Sequence, residues 1–344
     1  MKALRDAWAD TLVELGRTNP DIVVLDGDLA TSTRAERFAV AYPDRFFQMG
    51  IAEQNLVGTA VGMATLGFVP WLSSFAVFFT HRAVDQVRML VAQTHANVKI
   101  AAGYGGLLTG YTGKTHQDVE DLAIMRAMPG MTVLAPGDEV ECAAMVRWAT
   151  ETPGPVYLRL ARDAGPALFD DGYVFEPGRV RPLRPGRDVA LVSTGPQTAR
   201  CLEAAGLLAA DGLSAGVVHV PSIKPIDAPG LLDAIRPARL VVTVEEHTIL
   251  GGLGGLVAEI VTSSEPRRVV RIGIEDRWGE SAPNAFLLDR HGLSPARVAE
   301  RVARELAGAT TDTTTGATDS PRGATDSPRG ATDTTTGATG ATIS

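Results

Sequence analysis

Short apolar runs alternate with amphipathic stretches along the first half of the chain. Five runs have the length and hydrophobicity of strands buried on both faces: 22–25, 68–75, 98–104, 132–134 and 156–160. Helical periodicity separates them, at about 52–66, 80–93, 119–128 and 138–150. Asp138 stands where it can cap the last of these helices. Buried strands that alternate with helices predict a parallel sheet covered on both faces.

A second, shorter alternation follows a segment rich in Pro, Gly, Asp and Arg. Its strands are predicted at 189–194, 215–220, 240–244 and 269–274, with helices near 197–210, 227–235 and 253–262. The predicted fold class is therefore α/β with two domains, 1–163 and 186–307, joined by a linker at 164–185. The second domain should hold a smaller parallel sheet.

The last part of the chain, 308–344, changes character. It contains Ala-Thr-Asp-Ser-Pro-Arg-Gly twice in succession and has almost no apolar residue beyond alanine. Such a composition buries too little surface to offset the entropy of ordering. We therefore expect a disordered low-complexity tail.

Composition and charge narrow the class of protein. The 344 residues are 45% hydrophobic and carry a net charge of −8, without the basic stripe of a nucleic-acid binder. No apolar run reaches the roughly 18 residues of a membrane span, and the N-terminus lacks the apolar core of a signal peptide. Cys142 and Cys201 stand far apart and outside any metal-binding spacing. We expect a cytoplasmic globular protein with neither nucleic acid nor membrane as a partner.

Polar clusters follow several predicted strands, at the sheet edge where parallel α/β proteins bind ligands. They are Asp26-Gly27-Asp28, the segment 50–55, Ser73-Ser74 with the phenylalanines after them, and the long loop 103–117. Taken alone, Glu53 is also explained as a charge that complements a helix dipole, and His116 as an ordinary loop histidine. The order of the clusters along the chain points to one chemistry.

Five segments resemble, in order, the motifs of the transketolase family. They are Met49–Asn55, Ser74–Phe78 with Arg82-Ala83, Gly113–Gln117, Pro155–Arg162, and Val244–Thr248 with Gly251–Gly254. The match runs from about Lys2 to Leu306. This resemblance implies a pyrimidine-binding domain, a smaller C-terminal domain of the transketolase type, and thiamine diphosphate as the cofactor.

The resemblance also implies which residues meet the cofactor. Glu53 aligns with the catalytic glutamate of the family, whose carboxylate hydrogen-bonds N1′ of the cofactor's aminopyrimidine. Phe78, with Phe75 beside it, aligns with the ring platform under the pyrimidine, whereas related dehydrogenases align Phe79 there. Asp28 aligns with an aspartate close to the cofactor.

A further set of residues aligns with the family's substrate contacts. Arg5, Ser32 and Arg162 match positions that bind the substrate phosphate, a task that suits the charge-assisted fork of arginine. His116 matches a catalytic histidine that contacts substrate hydroxyls and helps proton transfer, since its unperturbed pKa is near neutral.

Three positions depart from the family pattern. Thr112 stands where the family has an aspartate that contacts a hydroxyl of the donor substrate. Tyr104 lies near the position of another active-site histidine of the family. His81 stands where the family often has a tyrosine beside the pyrimidine. We expect Thr112 to contact the substrate and His81 the cofactor, with the sugar specificity left open.

One half of the cofactor site is missing from the sequence. Complete family members carry a Gly-Asp-Gly motif and a later asparagine that hold the metal and the diphosphate, and Asp26-Gly27-Asp28 is not that motif. Mg²⁺ requires octahedral oxygen ligands together with phosphates. We therefore expect no metal ligand in this chain, and a separate partner chain that binds Mg²⁺ and the diphosphate. Since family sites form between subunits, the resemblance implies a homodimer of this chain within an α2β2 assembly.

Three hypotheses for the function stay open. The first is the small subunit of a split transketolase that moves a two-carbon ketol unit from a ketose phosphate to an aldehyde, favoured by Lys114–Gln117 and Arg162. The second is the beta subunit of a 2-oxoacid dehydrogenase or a deoxyxylulose-phosphate-synthase-like enzyme, which the segment 83–87 resembles. The third is an assembly subunit without chemistry, against which Glu53 and His116 argue.

Overall fold

The computed structural model describes residues 2–312, with side chains through residue 308. Residues up to Leu306 form one compact unit that contains two β-sheets. The predicted α/β fold class is confirmed. Most of the predicted disordered tail, 308–344, lies outside the described residues.

Seven strands build the first sheet. They are β1 Ile22–Asp26, β2 Phe46–Gln48, β3 Val69–Phe75, β4 Lys99–Gly103, β5 Thr132–Leu134, β6 Val156–Leu160 and β10 Ser222–Lys224. The spatial order is β10-β5-β6-β4-β3-β1-β2, and every pair is parallel except β10 with β5. The five strands predicted in this half are confirmed. β2 and β10 were not predicted. β10 holds a single apolar residue, Ile223, and so lacks the apolar run that marks a buried strand.

Helices cover both faces of the first sheet. They are α1 Leu4–Leu15, α2 Ala30–Thr33, α3 Glu36–Ala41, α4 Glu53–Thr65, α5 Val84–Gln86, α6 Asp121–Ala127 and α7 Glu139–Glu151. The helix predicted at 80–93 is a mixed segment, in which the π-helical turns Phe78–Arg82 and Val87–Ala92 flank α5. Asp138 caps α7 as predicted, because its Oδ1 accepts the Glu141 N–H at 2.9 Å.

The second sheet has five strands. They are β7 Arg181–Arg184, β8 Val189–Ser193, β9 Ala215–His219, β11 Leu240–Thr248 and β12 Val269–Ile274. The spatial order is β12-β11-β8-β9-β7, and all pairs are parallel except β7 with β9. The four predicted strands are confirmed. β7 lies inside the segment predicted to be a linker, 164–185, which is thus not wholly irregular.

Five helices accompany the second sheet. They are α8 Gln197–Ala210, α9 Ala228–Ile235, α10 Leu253–Ser264, α11 Asn284–Arg290 and α12 Pro295–Asp312. The first three match predicted helices. The helix α12 continues beyond residue 308, where the disordered tail was predicted to begin.

The side chains of β1 show how the first sheet is held. Val23 and Leu25 belong to one hydrophobic cluster, and Ile22 and Val24 to another. This alternation follows from the two-residue period of a strand, which sends successive side chains to opposite faces. Both faces of the sheet are therefore buried under helices, as the unbroken apolar runs predicted.

The parallel order brings three loops, which carry predicted site residues, to one edge of the sheet. β1, β3 and β4 are neighbours, and they end at Asp26, Phe75 and Gly103. Segments that leave the carboxyl ends of adjacent parallel strands meet at the same edge of a sheet. Among the helices described, none is both long and apolar enough to cross a membrane.

Candidate active site

Glu53 is the first residue of α4, and its side chain is fully buried. Its Oε2 accepts a hydrogen bond from Arg82 Nη1 at 2.8 Å. Its Oε1 is also buried but has no hydrogen-bond partner in the described part of the chain. An unpaired buried carboxylate oxygen is costly, so this atom requires a donor from outside the chain or from solvent.

Arg82 links the buried carboxylate to an aromatic cluster. Its guanidinium lies 4.4 Å from the centre of the Phe78 ring, a cation–π distance. Phe78 is half-buried and stacks on Phe75 with ring centres 5.9 Å apart. Phe79, in contrast, is fully buried in the hydrophobic core. Of the two candidate platform residues, Phe78 is thus the one that reaches the surface of the site.

His116 meets the same cluster from the long loop. Its ring stands edge-on to Phe78 and Phe75, with ring centres 5.5 and 5.9 Å away. Its Nδ1 is 2.9 Å from the Thr115 hydroxyl. The histidine is half-buried, so one side of the imidazole remains available to a ligand.

Tyr104 contacts the residues that are predicted to bind the substrate phosphate. Its ring stacks on Phe75 at 4.0 Å, and its hydroxyl accepts from Arg5 Nη1 at 2.6 Å and donates to Ser32 O at 3.3 Å. The Arg162 guanidinium lies 5.7 Å from the same ring. Tyr104 has a φ of +64°, a left-handed conformation that costs a non-glycine residue of order 1–3 kcal/mol. The surrounding contacts hold the tyrosine in this strained position.

A cavity of about 580 Å³ brings five predicted residues together. Its lining includes Ser32, Phe75, Thr112, His116 and Arg162. The rest of the lining includes Tyr104 from the first domain, and Pro283 and Asn284 from the second. Arg5 reaches this group through its bonds to Tyr104 and to Ser32 O. The cavity is large enough for a small ligand.

Asp28 and His81 lie outside this lining. Asp28 is exposed and has a φ of +67°, and its N–H donates to Gln48 Oε1 at 3.0 Å. His81 Nε2 lies 3.3 Å from Glu120 Oε1, and this hydrogen bond raises the pKa of the histidine. Glu53 and Phe78 are not in the lining either, so Phe75 is the one predicted cofactor contact that this cavity includes.

Among the described residues, one group has the spacing of metal ligands. The ligand atoms of His81, Asp118 and Glu120 all lie within 4.8 Å of one another. Asp118 is fully buried, and burial raises its pKa to about 7, with further help from the nearby charge of Asp121. Thr80 donates to Asp118 Oδ2 at 2.5 Å. Within the cluster, His81 Nε2 and Glu120 Oε1 form an ion pair.

The second domain holds the start of the long loop in place. Glu246 Oε1 accepts the N–H groups of Leu107 and Leu108 at 2.9 and 3.1 Å. Burial raises the pKa of Glu246, and Arg200 Nη1 lies 3.4 Å from its Oε2. Gly106 has a φ of +89°, and a Cβ at this position would collide with Glu246 Oε1. Only glycine fits this turn of the loop.

Comparison with known proteins identifies the family. The family model of the transketolase pyrimidine binding domain matches residues 1–166, and that of the transketolase C-terminal domain matches 178–298. A protein of Methanocaldococcus jannaschii named "Putative transketolase C-terminal section" is 40% identical, over 89% of this chain and 96% of its own length. This chain belongs to the transketolase family.

Two further proteins that this transketolase-family chain resembles are a transketolase subunit and a split-gene transketolase by name. A 6-deoxy-6-sulfo-D-fructose transketolase subunit of Clostridium sp. is 35% identical, over 88% of this chain and 94% of its own. A solved structure titled "Split gene transketolase, inactive beta4 tetramer" is 46% identical, with a TM-score of 0.81, and covers 89% of this chain and 98% of its own. The match thus extends over nearly the whole of each relative.

Membership of the transketolase family implies thiamine diphosphate. The residues present fit the pyrimidine half of this group. Glu53 Oε1 is a buried acceptor without a donor among the described residues, and Arg82, which bonds Glu53 Oε2, also contacts the half-buried Phe78 ring. A protonated ring nitrogen of the cofactor would donate to Glu53 Oε1, and its aromatic ring would pack on Phe78.

Sequence reasoning missed several residues of this transketolase site. Arg82 was seen only as part of a motif, although a buried carboxylate such as Glu53 signals a need for a cation. Tyr104 was noted only as a departure from the pattern, without its bond to Arg5. Pro283 and Asn284 come from the second domain, and no local signal in the sequence connects them to this cavity.

Proposed function

We propose that this chain is the small subunit of a two-chain, thiamine-diphosphate-dependent transketolase. The reaction transfers a two-carbon ketol unit from a ketose phosphate to an aldehyde. The observation that carries the proposal is Glu53 Oε1, a buried carboxylate oxygen without a partner in the described chain, on a side chain that Arg82 links to the Phe78 ring. An unpaired buried carboxylate oxygen is costly, which favours a ligand donor at this atom.

Thiamine diphosphate, when bound, supplies a nucleophilic carbon that carries the ketol unit between substrates. Glu53 Oε1 would hold the proton of the pyrimidine N1′, while Arg82 fixes the other oxygen and balances its charge. Phe78 and Phe75 would carry the flat face of the pyrimidine and keep water from it. In this role Glu53 contributes to activation, and Arg82 positions Glu53.

The cavity suits a phosphorylated sugar. Arg5 and Arg162 flank Tyr104, with both guanidinium groups within 6 Å of its ring, and arginine binds phosphate through charge-assisted hydrogen bonds. Ser32 lies in the same wall. His116 faces the aromatic cluster and would exchange a proton with a substrate hydroxyl. Thr112, at the mouth of the loop, would meet the sugar chain.

A partner chain would complete the site. This sequence has no Gly-Asp-Gly motif, so we assign Mg²⁺ and the diphosphate to a separate subunit within an α2β2 assembly. Asp28, exposed in a left-handed turn, and His81 would then face the bound cofactor or the partner. Cys142 and Cys201 are free and buried, which suits a reducing compartment such as the cytoplasm.

Reconstitution tests the proposal. Ketol transfer would be measured with thiamine diphosphate and Mg²⁺ for this chain alone, for a diphosphate-domain subunit alone, and for their mixture. We expect activity only in the mixture, together with an α2β2 mass in size-exclusion chromatography coupled to light scattering. Full activity of the lone chain would contradict the split site. A requirement for 2-oxoacids and lipoyl carriers would instead favour the dehydrogenase.

A further inference from the structure

A second cavity lies in the C-terminal domain, where β12, α11 and α12 meet. Its volume is about 380 Å³, and it shares no lining residue with the active-site cavity. Six arginines line it: Arg271, Arg277, Arg290, Arg297, Arg301 and Arg304. Three carboxylates, those of Glu275, Asp289 and Glu300, line it as well. The excess of arginine gives the cavity a positive charge.

Each of the three carboxylates is already paired with an arginine of the same wall. Arg297 bonds Asp289 at 3.0 Å and Glu300 at 3.2 Å. Arg277 lies 3.7 Å from Glu275. The negative charge inside the cavity is therefore neutralised.

Two of the arginines remain without a carboxylate in the described part of the chain. Arg271 donates only to a backbone oxygen, Ile249 O, at 2.8 Å. Arg304 is exposed and forms no ion pair with a described residue. A guanidinium group without a carboxylate partner is well suited to bind an oxyanion, which it does through paired hydrogen bonds.

His291 adds a second, independent observation. Its side chain lines the cavity and the residue is only 5% exposed. Neither Nδ1 nor Nε2 has a hydrogen-bond partner in the described residues. Burial, followed by the charge of Arg277, lowers the pKa of the imidazole. A buried polar group without a partner costs of order 1–3 kcal/mol. We therefore expect the two ring nitrogens of His291 to hydrogen-bond a ligand or water.

We propose that this cavity binds the phosphate group of a small phosphate monoester. Arg271 and Arg304 would supply the charge-assisted bonds, and the neutral imidazole of His291 would donate one N–H to a phosphate oxygen. The volume exceeds that of a phosphate ion alone and leaves room for an organic part. The site is separate from the catalytic cavity, so the proposal does not depend on the function proposed above.

Isothermal titration calorimetry of the full chain tests the site, with inorganic phosphate and AMP as the two probes. Arg304→Gln removes a charge from an exposed position and should leave the fold intact. Its matched control is Arg239→Gln, an exposed arginine elsewhere on the same domain. We expect AMP, and more weakly phosphate, to bind the wild type, and Arg304→Gln to raise the Kd at least fivefold while the control changes it less than twofold. No binding of either probe, or an equal loss in both variants, would overturn the proposal.

NMR of the histidine side chains provides a second readout. The imidazole signal of His291 would be assigned with His291→Phe, which conserves approximate volume. We expect AMP to shift this signal in the wild type and in Arg239→Gln, and to shift it far less in Arg304→Gln. If AMP binds but leaves the His291 signal unmoved, the ligand lies elsewhere and water fills the cavity, which would refute the assignment.

Discussion

Arg82 holds one oxygen of Glu53 and leaves the other free. The Nη1–Oε2 distance is 2.8 Å, and Glu53 Oε1 is buried without a partner in the described residues. The two residues come from different elements, the start of α4 and the π-helical turn Phe78–Arg82, so the pair fixes the carboxylate across the site. A charge-assisted bond on one oxygen orients the other, which is the atom that the proposed chemistry uses.

Arg82→Met should impair catalysis while retaining the fold, because the methionine keeps an apolar stem over Phe78. Ketol transfer by the assembled complex should fall about 10- to 100-fold, since a misplaced catalytic group loses its alignment. Arg88→Met, at an exposed arginine in the next π-helical turn, Val87–Ala92, is the control. Equal activity of the two variants would show that Arg82 does not position Glu53.

Glu246→Ala should destabilise the chain by removing the acceptor of two backbone N–H groups. The loss of an acceptor for Leu107 and Leu108 should cost about 1–3 kcal/mol for each N–H. Glu246→Gln keeps an oxygen at this position and should be the milder variant. Urea denaturation of both variants measures the difference. A Glu246→Ala protein as stable as the wild type would mean that Glu246 does not hold the loop.

Stability should depend on pH through Asp118. Its pKa in the folded state is raised to about 7 by burial, above the value of about 3.9 expected in an unfolded chain. The folded state therefore binds the proton more tightly, and its stability falls as pH rises from about 4 to about 7. Asp118→Asn should flatten this decline, by up to a few kcal/mol.

Urea denaturation between pH 5 and pH 8 checks the Asp118 prediction. His81 needs its own control, since Glu120 raises its pKa and the stability it contributes is also lost as pH rises. His81→Gln should remove only the part of the slope near and above pH 6.5. If Asp118→Asn retains the full slope of the wild type, the carboxyl group is not the titrating group.

Tyr104→Phe should weaken binding of a phosphorylated donor with little effect on turnover. The variant loses the hydroxyl that accepts from Arg5, so KM should rise about 3- to 10-fold. A ketose donor without a phosphate, such as erythrulose, serves as the comparison and should keep its KM. An equal rise for both donors would place the effect outside phosphate recognition.

Much of the architecture was predictable from the sequence, because the spacing of apolar residues shows which faces of a strand or helix are buried. Ile22–Asp26 shows this, as its unbroken apolar run is explained by two cores on opposite faces of the sheet. The strand Ser222–Lys224 was not predicted, because it holds a single apolar residue, Ile223, and therefore shows no apolar run.

The candidate site was only partly predictable. The family resemblance gave Glu53, His116 and Arg162, and their catalytic and binding roles remain predictions. The bond of Arg82 to Glu53 depends on tertiary structure, which sequence spacing does not encode. The same holds for the left-handed backbone of Tyr104 and for the hydrogen bond that its hydroxyl accepts from Arg5.

The most direct test of the central claim is exchange of the C2 proton of thiamine diphosphate for deuterium in the assembled two-chain complex. Exchange would be followed by quenched-flow NMR for the wild type and for Glu53→Gln, with cofactor binding measured separately. We predict that Glu53→Gln still binds the cofactor but slows exchange by on the order of 100-fold or more. Exchange in Glu53→Gln as fast as in the wild type would contradict the assignment of Glu53 as the activating residue.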